Sequence, residues 1–423
     1  RPITLHFPFV QDAPMLGFHY FPDSEHYRNE DLVTWLPRLQ ALGARWITLL
    51  SSPQRAIPET FLRPLLEAGI QVVVHLPLRP ESPLQEECPP LLEAYARWGV
   101  RYVMLFERPN QRAQWESTDW ARFNVVRHFI QRLRPLAEQA AENGLQVIFP
   151  PLEPGSDYWD TAFLRAALEE IQAQSPALLE SLVISALAHA GDNPLNWGAG
   201  GPERWPGARA YYTPPEEQDQ CGFAIADWYA AITQAVCGHR LPMMLFEAGS
   251  PGGWNPSADG LSTESHRKRT LQLLQAVNTP QTAPAEVPPL PAEVLACHFH
   301  AIGDNLPHAC YTSSGAPTPL GARFLKQRKS IPVPAKKSAP QGKKPPARPL
   351  KHYVLLPPEA REGETWHTRV LPVLLSMGVT IGFSAREAAL ASQVTVLGDA
   401  QVFPDALLEK LRAAGCRVVR LSG

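Results

Sequence analysis

From residue 15 to about residue 325 the chain alternates two hydrophobic rhythms. Eight short runs, MLGFHY (15–20), RWITLL (45–50), QVVVHL (71–76), RYVMLFE (101–107), LQVIFP (145–150), LVISAL (182–187), PMMLFE (242–247) and VLACHF (294–299), have the length and composition of buried strands. Between them lie stretches such as EDLVTWLPRLQALG, IPETFLRPLLEAG and DTAFLRAALEEIQAQ, whose apolar residues recur at helical spacing. Gly43, Gly69 and Gly144 stand where a left-handed residue would close a helix before the next strand. Eight strand–helix repeats over about 320 residues predict an α/β fold, a (β/α)8 (TIM) barrel. Each parallel strand needs a crossover helix, and the closed sheet leaves no edge. The alternative, an open doubly wound sheet, lacks its mark here, a glycine-rich phosphate loop after the first strand.

The pattern breaks at residues 326–351, KQRKSIPVPAKKSAPQGKKPPARPLK, which hold nine Lys or Arg and no acid. Removing them leaves 30 of the 39 basic residues against 41 acidic ones, so the main body is acidic although the whole chain is near neutral. Basic residues concentrated in a proline-rich stretch with few apolar positions argue for a stiff linker. They argue against a nucleic-acid-binding face. Such a linker is either a solvated spacer or a contact for an anionic wall or membrane surface. Residues 352–423 then read as a small α/β module, ending in strand, turn, helix and strand within QVTVLGDAQVFPDALLEKLRAAGCRVVRLSG. The expected organisation is therefore a barrel over 1–325, a linker over 326–351 and a module over 352–423. No run of eighteen apolar residues occurs, so no membrane span is expected. Cys88, Cys221, Cys237, Cys297, Cys310 and Cys416 show no zinc spacing and read as buried thiols, with a Cys297–Cys310 bridge open.

In such a barrel chemistry sits on the loops that follow the strands. Two strands end in glutamate, the fourth at Glu107 in LFERPN and the seventh at Glu247 in LFEAGS. This arrangement resembles the clan A glycoside hydrolases, in which an acid/base glutamate closes strand four in an Asn-Glu-Pro motif and a nucleophilic glutamate closes strand seven. The resemblance implies a retaining mechanism, with two carboxylates about 5 to 5.5 Å apart. Aligning Pro109 and Asn110 with the motif puts Arg108 where the acid/base residue belongs and Glu107 where the asparagine belongs. A guanidinium stays protonated and cannot serve as a general acid that becomes a base, so Glu107 has to act from the neighbouring position. Arg108 either points into the mouth and pairs with a carboxylate or forms a rim salt bridge of little consequence.

Further candidates follow the same rule. Glu153, after strand five, is a third carboxylate or a helix cap. His19 and Tyr20 close strand one, and His75 closes strand three. His298 and His300 stand where the resemblance implies a strand-eight tryptophan, and His189 follows strand six. No His spacing marks a metal site, and no cofactor is expected. The loop after strand six carries Trp197, Trp205, Tyr211 and Tyr212 with Arg204 and Arg209. These rings suit either a sugar platform or packing on one another.

The expectation is a glycoside hydrolase-like barrel acting on a polysaccharide or oligosaccharide, extracellular or at the cell surface. Glu247 and Glu107 are its catalytic residues. Arg108, Asn110, Glu153, Trp197, Trp205, Tyr211, His19 and His300 are expected at the substrate. A non-catalytic carbohydrate-binding or scaffold protein is the rival. The C-terminal module, with VLGD and RLSG, resembles a bacterial cell-wall-binding repeat.

Overall fold

The computed structural model describes residues 15–82, 87–121, 124–204, 219–250, 262–304, 306–330, 350–357, 379–389, 391–399 and 402–421. The chain divides into two compact units, Arg1–Pro332 and Val333–Gly423.

In the first unit the eight aliphatic runs form β1 (Met15–His19), β2 (Trp46–Leu50), β3 (Gln71–Leu76), β4 (Tyr102–Leu105), β5 (Gln146–Ile148), β6 (Leu182–His189), β7 (Met243–Gly249) and β8 (Val294–Ile302). Each pairs in parallel with the next, and β8 closes onto β1 through Met15↔Ala296 to His19↔His300. A short β9 (Ala309–Tyr311), absent from the sequence reading, lies along the outer end of β8. Helices alternate with the strands, among them Asn29–Leu42, Glu59–Glu67, Val125–Glu142, Asp160–Gln174 and Thr263–Asn278. Gly43, Gly69 and Gly144 have φ of 74°, 78° and 80°, the left-handed conformation that a helix end followed by a strand requires.

Both strand faces are buried, which is why the strands read as continuous apolar runs. Trp46, Val73, Met104, Ile148, Val183, Leu187, Met244, Phe246 and Ala296 fill the barrel interior. The alternate residues, such as Val72, Val74, Val103, Leu105 and Leu245, pack outward with the helices in one large core. All six cysteines are free, and Cys297 and Cys310 are fully buried as separate thiols. The basic segment begins inside a helix, since Pro319–Ser330 is helical through its last turn. Residues 331–349 lie outside the described residues.

The second unit is a four-stranded parallel sheet in the order β11-β10-β12-β13, from β10 (Leu350–Leu355), β11 (Thr380–Gly382), β12 (Ala391–Leu397) and β13 (Arg417–Leu421). The helix Asp405–Ala413 buries Leu408 and Leu411 against Tyr353, Leu355, Val394 and Val396. The expected helical stretch before residue 379 lies outside the described residues. No described helix is long and apolar enough to cross a membrane.

Closure between β1 and β8 depends on one missing side chain. A Cβ on Gly17 would lie 2.6 Å from the His298 ring, and that ring is fully buried and hydrogen-bonded through Nδ1 to Thr48 Oγ1 at 2.8 Å. The ring cannot swing aside without leaving a buried polar group unpaired. Gly17→Ala is expected to cost about 1–3 kcal/mol by overpacking, read as a lowered midpoint in chemical denaturation. An unchanged midpoint would mean that the seam is loosely packed.

Candidate active site at the barrel mouth

Strict strand alternation cannot bring Glu107 and Glu247 to the same place. Met104 faces the barrel interior, so a regular β4 would turn Phe106 inward too and send Glu107 out toward the helices. Instead β4 stops at Leu105 and Phe106 takes φ +66°. Its ring packs outward on Phe129, 5.4 Å between centroids, and Glu107 lines the mouth. Arg108, at φ +45°, is left-handed as well. On β7 the interior residue is Phe246, and Glu247, the next one, is brought to the mouth by its own φ of +49°. A left-handed non-glycine residue costs about 1–2 kcal/mol, so three at one mouth need support from their surroundings.

Two histidines supply part of it. His75 Nε2–H donates to the Phe106 carbonyl at 2.9 Å, and the Glu247 backbone N–H donates to His19 Nε2 at 2.9 Å. The second bond requires the His19 tautomer with its proton on Nδ1. Burial pushes both imidazoles downward, which favours the neutral form that the His19 bond demands. The loops after β4 and β5 are pinned together as well. Arg108 N–H donates to Pro151 O at 3.0 Å. The Asn110 amide donates to Glu153 O (2.8 Å) and Tyr158 O (3.0 Å), while its Oδ1 accepts from Glu153 N–H (2.9 Å).

One guanidinium organises the charges. Arg108 Nη2 donates to Glu247 Oε1 at 2.7 Å, Nε lies 3.2 Å from Glu153 Oε2, and Nε lies 3.8 Å from Glu107 Oε1. His189 Nε2 is 3.4 Å from the other Glu247 oxygen. Burial alone would push the Glu247 carboxyl up. Arg108 outweighs it and holds the group below the usual carboxylate range. At Glu153 the balance goes the other way, because burial raises its carboxyl by more than Arg108 lowers it. Burial also pushes His300 down, and His189 down to about 4.

The cleft over these groups has a volume of about 590 Å3, within the range of small-ligand sites. Glu107, Glu247, His19, His75 and His300 line its floor, and Tyr20, Phe21, Asp23, His26, Asp304 and Leu306 line its walls. His300 stacks on His19 with centroids 5.2 Å apart.

Several expectations change. Asn110, expected at the substrate, is fully buried and wholly engaged with backbone, so it positions Glu153 rather than touching a ligand. Glu153 is the third carboxylate and not a helix cap; Asp160 Oδ1 accepts the Gly155 N–H. It pairs with Arg108 without lining the cleft. Trp197 is not part of the lining either, and its ring lies against Gly222. Trp205, Tyr211, Tyr212 and Arg209 lie outside the described residues. Arg108 does point toward Glu247 and is not a mere rim salt bridge. The sequence reading missed Phe21, Asp23, His26 and Asp304, although their places just after β1 and β8 obey the rule that singled out Glu107 and Glu247.

Among the described residues the mouth histidines form no metal-binding group. The cluster that could hold a metal is Glu81, Asp119 and His128, where His128 already pairs with Glu81 at 2.9 Å and Arg132 lies 3.6 Å from the same carboxylate.

No protein-family model matches the chain, and no curated protein does. Among solved structures it is similar to a GH128 subgroup II endo-β-1,3-glucanase from Sorangium cellulosum, at 16% identity and TM-score 0.40 over 74% of this chain and 97% of that one. An active-site mutant of the Rhizomucor miehei β-1,3-glucanosyltransferase matches at 11% identity and TM-score 0.43, over 72% and 96%. A GH10 endoxylanase from a sugarcane soil metagenome matches at 12% identity and TM-score 0.44, over 75% and 98%. At these identities and TM-scores the likenesses carry no conclusion about this chain, whose barrel rests on its own strand pairing.

The ion pair has a testable signature. Because the folded Glu247 carboxyl is depressed, its contribution to stability is present above the unfolded value of about 4.3 and is lost as pH falls through the folded value. Arg108→Gln removes the pull and should raise the Glu247 titration midpoint, followed by carboxyl NMR on glutamate-labelled protein. A midpoint that stays depressed would show that something other than the guanidinium holds the charge.

Proposed function

We propose that this barrel binds a polysaccharide chain across its mouth and acts on it as a retaining glycoside hydrolase of low turnover, with Glu247 as nucleophile and Glu107 as acid/base. The observation that carries this reading is the convergence of two cleft-lining carboxylates, from the ends of strands four and seven, on one guanidinium. A retaining reaction needs one carboxylate kept ionised to attack the sugar and a second to give a proton to the leaving oxygen and later take one back. Glu247 meets the first requirement through Arg108. The second is where the site is weak, because the side chain at position 108 reaches the nucleophile and cannot exchange a proton.

The rival reading, carbohydrate binding without turnover, is favoured by the same contact. An arginine on the nucleophile at 2.7 Å ties up the attacking oxygen. The two readings part on one variant. Glu107→Asn with Arg108→Glu replaces the guanidinium by a titratable acid, and it should raise aryl-glycoside turnover by about 10²-fold or more, the usual worth of general acid/base help. Glu247→Gln should abolish the turnover of wild type and variant alike. Fast wild-type turnover that depends on Glu107 would instead make Arg108 an accessory of a complete site. Glycan binding with no turnover in either protein would leave the binding reading.

The extracellular or cell-surface location belongs to the same proposal and rests on the substrate class. In it the basic segment and the second unit attach the protein to an anionic wall. The full chain should then sediment with anionic cell-wall polymer at low salt and be released at high salt, as Debye screening requires. Sedimentation that ignores salt counts against an electrostatic tether.

A further inference from the structure

The mouth carries more negative charge than its cations cancel. Glu107, Glu153 and Glu247 share the single Arg108 guanidinium. Counted as side chains, three carboxylates face one guanidinium. Burial pushes the floor histidines His19, His75 and His300 downward, and His189 down to about 4, so it works against their supplying the missing positive charge. On the wall, the imidazole His26 pairs with Asp23. Moving outward, the walls add two more carboxylates, Asp23 after β1 and Asp304 after β8, and no described lysine or arginine lines the cleft. Asp304 is fixed by the Ser313 N–H on its Oδ1 at 2.9 Å. Asp23 accepts from Glu25 N–H at 2.9 Å and lies 2.8 Å from His26 Nδ1.

The walls also suit a cation by shape. Phe21 and His26 stack with centroids 3.7 Å apart, forming a flat aromatic face beside Asp23. Carboxylates next to an aromatic face give an ammonium both charge and π-density. A neutral sugar uses the aromatic face but leaves the excess charge unanswered.

Resting on the carbohydrate reading above, we infer that the cleft selects an amine-bearing sugar polymer, one whose free ammonium groups meet Asp23, Asp304 and the Glu107–Glu247 floor.

The test uses the full chain in calorimetric titrations at about pH 5.5, where primary amines are charged. The probes are a glucosamine oligomer, the same oligomer fully N-acetylated, and the diamine putrescine. The glucosamine oligomer should bind at least about tenfold more tightly than its acetylated form at low salt. That gap should close at high salt and shrink in the double variant Asp23→Asn, Asp304→Asn. Asparagine keeps the acceptor oxygen that each loop uses, and a melting temperature equal to wild type confirms the fold. Equal or tighter binding of the acetylated oligomer overturns the charge inference and leaves the carbohydrate reading standing. Binding of putrescine alone, or of none of the three, overturns the amine inference, and the carbohydrate reading falls with it only if a neutral glucan oligomer, titrated alongside, also fails to bind.

Discussion

The mouth of this barrel depends on a single guanidinium. Three carboxylates from the ends of three strands converge on it, and any of them left alone in a half-buried site would either protonate or push its neighbours apart. Arg108 removes that choice for Glu247, whose carboxyl it holds below the usual carboxylate range. The same residue has left-handed backbone and donates its own N–H to Pro151. Its side chain and its main chain therefore tie β4 to β7 and to the loop after β5 together. The strain at Phe106, Arg108 and Glu247 persists because these contacts, with His19 and His75, leave the backbone no relaxed alternative.

Most of the architecture was legible in the chain. The eight strands could be read because parallel strands buried on both faces must be apolar at every position, and the turns because Gly43, Gly69 and Gly144 occupy conformations that favour glycine. Glu107 and Glu247 could be located because a charged residue directly after such a run stands at a strand end. What brings them together could not be read. Positive φ at Phe106, Arg108 and Glu247 leaves no mark on the sequence, since none is Gly or Asn and each conformation is imposed by tertiary contacts. Asn110 reads like a substrate ligand in any alignment of motifs, and only its buried bonds to Glu153 and Tyr158 reveal a brace. The three-residue β9 is too short to announce itself, and Trp197 shows how an aromatic in a polar loop looks the same whether it faces ligand or glycine.

The mouth divides into two parts of different stiffness. On the cleft walls Phe21, His26, Asp23 and Asp304 stand on loops after the adjacent strands β1 and β8. Beneath them the Glu247 N–H is held by the His19 ring, the Arg108 N–H by Pro151 O and the Glu153 N–H by the Asn110 side chain. A substitution in the walls therefore leaves these bonds in place, whereas one among the lower groups strains the barrel as well.

The histidine braces carry a consequence of their own. Imidazoles normally give a protein mouth a charge that drifts across the neutral range. Here burial pushes His19, His75, His189 and His300 downward, and two of them are committed to main-chain atoms. These two rings act as struts: whatever dislodges His19 or His75 shifts the backbone at Glu247 or Phe106, and with it the aim of the carboxylates, before it alters any charge.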